Sequence, residues 1–342
     1  MSSSRKMIIL TDGRTDLHAA KTAICVIRYR PSEVVALLDR KSAGRTCGAV
    51  LGVGGAIPVV ASLADAPEAN TLLIGIAPPG GRIPEHWRPI VLEAIGRGLN
   101  VVSGLHDFLS DNAEFARAAA ERGVELVDLR RSDERDVASG EPFRQGCLRI
   151  HTIANDCSCG KMVTAMEVVE GLKRAGLDAR FAATGQTGIM VAGSGCAVDR
   201  VISDFVSGTA EKLVRADEDG DVVVVEGQGS LFHPRYSGVT LGLLHGVKPD
   251  AMIYCYEMGR TAIFDMGVPL PPHRAVIEFY EAAAAVMHPC RVIGIAVNGQ
   301  RFTADEVAAE CQRTEQELGL PTCDVIRDGS EKLVEAVMEL RK

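Results

Sequence analysis

The sequence of 342 residues predicts an α/β protein of two domains, residues 1–140 and 141–342, each a parallel sheet with helices on both faces. Three observations predict it. Short β-rich runs alternate with helical stretches along the whole length, the apolar fraction of 46% is enough to fill two cores, and a charged segment interrupts the alternation before mid-chain.

In the first domain the strands are Met7–Leu10, Val34–Leu38, Thr71–Ile76, Asn100–Ser103 and Glu125–Val127, each a short apolar or β-branched run bounded by turn residues. Helices fit between them. Trp87–Gly98 ends on glycine, and Asp111–Arg122 opens on an acid and closes at Gly123. From Arg130 to Gly146 the apolar period disappears, with Ser132-Asp133-Glu134-Arg135-Asp136 followed by Gly140-Glu141-Pro142, and the domain boundary is placed there. The second domain then reads strand Leu148–Ile153, helix Lys161–Ala175, strand Ala179–Ala183, helix Asp199–Val214 and strands Val222–Glu226 and Ala251–Tyr256. Helix Pro272–Met287, strand Val292–Val297, helix Ala304–Leu318, a strand near Cys323–Ile326 and a last helix complete it.

A net charge of -8 and a pI near 5.6 argue against an extended nucleic-acid or membrane-surface footprint. Ten cysteines in a chain this long are too sparse for a disulfide scaffold, which points to a reduced, cytoplasmic protein. No apolar run approaches the roughly 20 residues that cross a bilayer.

The chemistry concentrates at Asn155-Asp156-Cys157-Ser158-Cys159-Gly160-Lys161-Met162, which lies between a buried strand and a helix. In such a loop backbone amides and the helix N-terminus face an anion, and the lysine bridges outer phosphate oxygens. Two positions depart from the strict pattern. Asn155 stands where the first glycine is expected, and Met162 replaces the Ser or Thr that would hold Mg²⁺, a poor exchange for a hard cation.

Strand Val222–Glu226 delivers Glu226 into the turn Gly227-Gln228-Gly229-Ser230 at the sheet edge where α/β folds place their sites, so Glu226 is the first candidate for chemistry. Capping of that turn is its alternative role. The following loop carries His233, Arg235 and Tyr236, suited to proton transfer and anion binding. Gln186, in Ala183-Thr184-Gly185-Gln186-Thr187-Gly188, follows another strand at the same edge. Asn298 offers an amide to a base edge, although Asn298-Gly299 is also a common turn. Arg260, and Arg82 in Ile76-Ala77-Pro78-Pro79-Gly80-Gly81-Arg82, are candidates for a carboxylate or phosphate. No spaced Cys and His set suggests a metal site.

On these strings, together with His233-Pro234-Arg235-Tyr236-Ser237-Gly238-Val239-Thr240-Leu241-Gly242-Leu243-Leu244-His245-Gly246 and Val102-Ser103-Gly104-Leu105-His106-Asp107-Phe108-Leu109, the chain resembles the bacterial D-glutamate N-acetyltransferase family. The resemblance covers nearly the whole chain. It implies a Rossmann-like N-terminal domain, a P-loop NTPase-like C-terminal domain, and transfer of acetyl from acetyl-CoA to the amine of D-glutamate. In that reading Asn155 to Met162 and Asn298 bind CoA, and Glu226 or His233 is the general base. Arg82, Gln186, Arg235, Tyr236 and Arg260 then line the substrate, and no metal is expected. The phosphate loop is also similar to that of dethiobiotin synthetase, and the alternative is an ATP- and Mg²⁺-dependent kinase or ligase in which Glu226 and Thr164 help to hold the ion. A nucleotide-binding regulator is a third possibility, and a homo-oligomer is expected from the sheet type alone.

Overall fold

The computed structural model describes residues 5–16, 19–76 and 81–341. It divides into two compact units: Met1–Arg131 with Ile189–Gly193, and Ser132–Gly188 with Ser194–Lys342. The division falls nine residues before the expected 140/141 boundary, counting from 131. The physical reason is that the charged segment is held to the second unit. Glu134 pairs with Lys212, Glu211 accepts from the Ser139 amide and hydroxyl, and Arg144 donates to the Glu218 carbonyl.

The first unit is a six-stranded parallel sheet. Its strands are β1 (Met7–Leu10), β2 (Val34–Leu38), β3 (Val59–Val60), β4 (Thr71–Ile74), β5 (Asn100–Ser103) and β6 (Leu126–Asp128), in the order β3-β2-β1-β4-β5-β6. Helices α1 (Lys21–Tyr29), α2 (Cys47–Leu51), α3 (Arg88–Gly96) and α4 (Ala113–Arg122) connect them. This order is that of a dinucleotide-binding Rossmann sheet. Helix α4 shows why local sequence suffices there: Asn112 accepts from two first-turn amides, and Gly123 closes the helix at φ 66°.

The second unit holds another parallel sheet, in the order β12-β11-β10-β7-β9-β8. Its strands are β7 (Leu148–Ala154), β8 (Ala179–Ala182), β9 (Val222–Val225), β10 (Ala251–Glu257), β11 (Arg291–Asn298) and β12 (Thr322–Cys323). The helices are α5 (Lys161–Arg174), α6 (Gln186–Ala192), whose residues from Ile189 on are grouped with the first unit, α7 (Val206–Asp217), α8 (Ser237–Val247), α9 (His273–Ala285), α10 (Ala304–Leu318) and α11 (Glu331–Glu339). Strand β7 pairs with β9 on one side and β10 on the other. After β7 the chain winds first one way and then the other, so the C-terminal end of β7 is the switch point where such sheets bind ligands.

All four valines of β9 are fully buried, and each contributes about 1.5–3 kcal/mol through lost apolar exposure. That burial fixes the strand, and with it the position of the acid that follows.

Two segments expected as loops are helical. Gln186 opens α6, and Ser237 opens α8. Two of the three glycines of α8 look like helix breakers but are required by packing, since a Cβ on Gly246 would lie 2.2 Å from the Ser207 carbonyl oxygen of α7 and one on Gly242 2.9 Å from Val206. The helix expected from Asp199 is interrupted: two 3-10 turns, Val198–Arg200 and Ser203–Phe205, precede α7, with Ile202 extended between them.

Candidate functional site

The phosphate loop is residues 155–160, closed by Gly160 at φ 104° and Ser158 at φ 56°. These left-handed angles turn successive amides toward the concave side of the loop, and α5 then presents its N-terminus. Ser158 adopts a conformation that L side chains seldom take, so the turn is set by its surroundings. Asn298 lies against the loop, its Cβ 3.8 Å from the Cβ that Gly160 lacks.

Lys161 is only 7% exposed. Its Nζ donates to the carbonyl oxygens of Asp156 at 2.9 Å and Gly229 at 2.8 Å. These are dipoles and not charges. Among the described residues Lys161 forms no ion pair with a carboxylate, and one ammonium proton has no bond to the protein. A buried cation without an anion is costly, and a bound phosphate would supply the missing charge.

Glu226 directly follows β9 and is buried, with one carboxylate oxygen accepting from the amides of Thr184 at 3.0 Å and Gly185 at 3.1 Å. Burial pushes its carboxyl up to about 7, against the opposing pull of those amides, Gln228 and the charge of Lys161. The turn beyond it is tightly built. Gly227 donates to the Thr152 hydroxyl at 3.0 Å, and a Cβ there would lie 1.7 Å from the Thr152 carbonyl oxygen.

His233 is buried and stacks on Tyr236 at a ring separation of 4.4 Å. Its Nδ1 accepts from the Arg235 amide at 3.2 Å, and burial holds the ring below its ordinary value, favouring the neutral form. Arg235 is exposed and pairs with the exposed Asp265, at 3.4 Å. Such a surface pair is weak and gives way readily to a carboxylate ligand. Gln186 is buried at the start of α6, its amide donating to the Thr187 hydroxyl at 3.0 Å.

Arg260 does not stand free for a substrate. Its Nη1 donates to Asp156 Oδ2 at 2.8 Å and to the Cys157 carbonyl at 2.7 Å, and its Nη2 pairs with Glu257. Arg82 is exposed in the first unit, and residues 77–80 of its expected loop lie outside those described. Cys159 is buried, its thiol pushed up to about 11, and it serves as a weak donor to Asn155 and the Cys157 carbonyl within the loop. Thr164 faces the buried Cys255 of β10 inside the core, so it is not placed to replace the missing Ser or Thr as an Mg²⁺ ligand.

Sequence reasoning missed Thr152 and Tyr280. The Tyr280 hydroxyl accepts from the Leu231 amide and donates to the Ala154 carbonyl, both at 3.0 Å, tying the end of β7 to the loop after Glu226. Nothing in their local sequence marks these residues, because each acts across the sheet.

Asp156, Cys157 and His233 bring potential metal ligands within 4.8 Å of one another. The Asp156 carboxylate is already occupied, by the amides of Cys157 and Phe264, both at 2.7 Å, and by Arg260.

The fold and loop define a two-domain protein with a Rossmann-like sheet and a P-loop sheet. A family model described as a domain of unknown function (DUF1611_C), P-loop domain, matches residues 136–334, and its Rossmann-like partner (DUF1611_N) matches residues 40–132. The chain belongs to this DUF1611 family, and is related to D-glutamate N-acetyltransferases. The enzyme of that name from Tritonibacter scottomollicae is 37% identical over 94% of this chain and 95% of its own length. Its namesake from a Pseudoalteromonas species is 39% identical over 78% and 80%. The crystal structure of a DUF1611 family protein from Anabaena variabilis superposes with a TM-score of 0.92 at 34% identity, covering 98% of this chain and 99% of that one.

The expected acyltransferase chemistry requires correction. The domain that carries the site is matched as a P-loop domain, a fold organised around nucleotide phosphates and not that of a CoA-dependent acetyltransferase, so acetyl-CoA as donor and the N-acetyltransferase class are set aside. Of the two enzymatic readings, the ATP- and Mg²⁺-dependent one agrees better with the fold. The expected absence of any metal falls as well, since a P-loop domain binds its nucleotide together with Mg²⁺.

Proposed function

We propose that the protein is a P-loop enzyme that binds ATP with Mg²⁺ and activates a small acidic substrate of the D-glutamate type by phosphoryl transfer. One observation carries the nucleotide assignment. Lys161 is buried at the start of α5 after a strand-loop turn, with two carbonyl partners and, among the described residues, no carboxylate ion pair, an arrangement suited to a phosphate.

The residues present also suit the metal that accompanies the nucleotide. Mg²⁺ keeps waters and phosphate oxygens as most of its ligands and needs only one or two carboxylates from the protein. Glu226 lies at the end of β9, the strand beside β7, which is where a P-loop protein places its Mg²⁺-holding acid. Glu226 takes that role without a hydroxyl from Met162. The bound ion would offset charge on the transferred phosphoryl group. Loop amides orient the phosphates, and Asn298 beside Gly160 offers its amide to the nucleotide. Arg235 and Tyr236, with Gln186, bind the substrate, and the neutral His233, whose Nδ1 is taken by the Arg235 amide, offers it the Nε2–H as a hydrogen-bond donor.

The substrate class is supported by the relatives, both named D-glutamate N-acetyltransferase. No helix among the described residues is long and apolar enough to cross a membrane. No disulfide joins any of the ten cysteines, which suits a reducing, cytoplasmic setting.

The test is incubation with ATP, Mg²⁺ and D-glutamate, following released phosphate and ADP, beside a parallel reaction with acetyl-CoA, following free thiol. D-Glutamate-dependent phosphate release supports the proposal. Thiol release from acetyl-CoA without ATP turnover would overturn it.

A further inference from the structure

We propose that Arg260 is a positioning residue, the resident cation of Asp156, and that this buried pair holds the phosphate loop in its anion-binding shape. The inference rests on the phosphate-loop reading above and extends it to a residue that does not touch the nucleotide.

Asp156 is the second residue of the loop and is fully buried. It accepts three hydrogen bonds, from the Cys157 amide, the Phe264 amide and Arg260. Arg260 is itself buried, its side chain 10% exposed. Its guanidinium spans two carboxylates: Asp156 of the loop after β7, and Glu257, the last residue of the neighbouring strand β10. Glu257 is further met by Arg301 at 3.5 Å. The same Nη1 reaches the Cys157 carbonyl, so side chain and backbone of the loop are fixed together.

The geometry excludes two other roles. A substrate carboxylate would have to displace two buried carboxylates from Arg260, with desolvation against it. A divalent ion on Asp156, Cys157 and His233 would have to sit beside a fixed guanidinium. The arginine occupies the electrostatic place that a metal would take in this cluster. Lysine cannot reproduce it, because a single ammonium lacks the planar fork that reaches both acids and the carbonyl.

Three variants of the full chain test the idea: Arg260→Lys, Arg260→Gln, and the double variant Asp156→Asn with Arg260→Gln. The first readout is hydrogen exchange in the ligand-free protein, which does not depend on any nucleotide assignment. Arg260→Lys is expected to speed exchange of the amides from 156 to 162 about tenfold while β1 to β6 stay unchanged. The second readout is affinity for ADP with Mg²⁺, expected to weaken about tenfold, with the KM for D-glutamate shifting less than twofold. The third is thermal stability. The double variant should melt above Arg260→Gln, because it removes the carboxylate stranded by loss of the guanidinium.

A raised KM for D-glutamate with unchanged loop exchange would make Arg260 a substrate ligand and overturn the proposal. So would exchange and melting temperature that are the same in all three variants as in the parent. Absence of ADP binding by the parent chain would count against the nucleotide reading alone, leaving exchange and melting to decide on Arg260.

Discussion

Glu226 shows how one side chain joins stability to function. Below pH 4.5 its carboxyl is neutral in both folded and unfolded chains, and between 4.5 and about 7 the unfolded chain releases a proton that the folded one keeps. Burial of Glu226 therefore removes stability as pH rises through that window, by on the order of 3 kcal/mol above it. Glu226→Gln should melt several degrees higher than the parent at pH 8 and close to it at pH 4.5, while losing Mg²⁺-dependent turnover. Equal melting curves at pH 8 would show that burial does not push the carboxyl up. His151 is the opposite case. Burial lowers it from 6.5 to about 4, so stability is lost as pH falls through that range, and His151→Gln should flatten the acid limb of urea unfolding. The places of Lys161 and Glu226 in the fold were legible in the sequence, because Lys161 opens a helix after the loop that follows one apolar strand and Glu226 directly follows another. The engagement of Arg260 was not, because its partner Asp156 lies 104 positions away.

At the scale of elements, the turn from β9 into 227–230 and the loop from β7 into α5 form one device, joined where Gly227 packs on Thr152. Gly227→Ala places a Cβ 1.7 Å from a carbonyl oxygen, a backbone clash that costs about 1–3 kcal/mol or more. It should lower the melting temperature by several degrees and weaken nucleotide binding, whereas a melting temperature unchanged within a degree would place the turn elsewhere. The strands β1, β2, β5 and helix α10 were predicted at their observed bounds, because apolar period and caps agree there. Helix α8 was not, since its three glycines carry a helix-breaking signal that the close packing of Gly242 and Gly246 on α7 overrides. Strand β3, of two residues, is too short to show a period.

For the whole molecule, two parallel sheets of six strands each occupy separate units, and the proposed nucleotide residues all belong to the second. Hydrogen exchange with ADP and Mg²⁺ should protect residues 155–162 and 226–230 and leave β1 to β6 of the first unit at their ligand-free rates. Protection confined to the first unit would assign the nucleotide to the Rossmann-like sheet. That alternative has a basis in its strand order, which is the dinucleotide-binding one. The second unit is favoured by charge. Asp39, directly after β2, is already taken up by the Gly13 and Ser42 amides, whereas Lys161 forms no ion pair among the described residues.

The central claim is that this buried lysine awaits a nucleotide phosphate, and calorimetric titration of ATP with Mg²⁺ into the parent chain and into Lys161→Ala tests it most directly. A charge-assisted bond of about 1.5–3 kcal/mol predicts that the variant binds roughly ten- to a hundredfold more weakly. Equal affinity in the two proteins, or no binding of ATP by the parent, would contradict it.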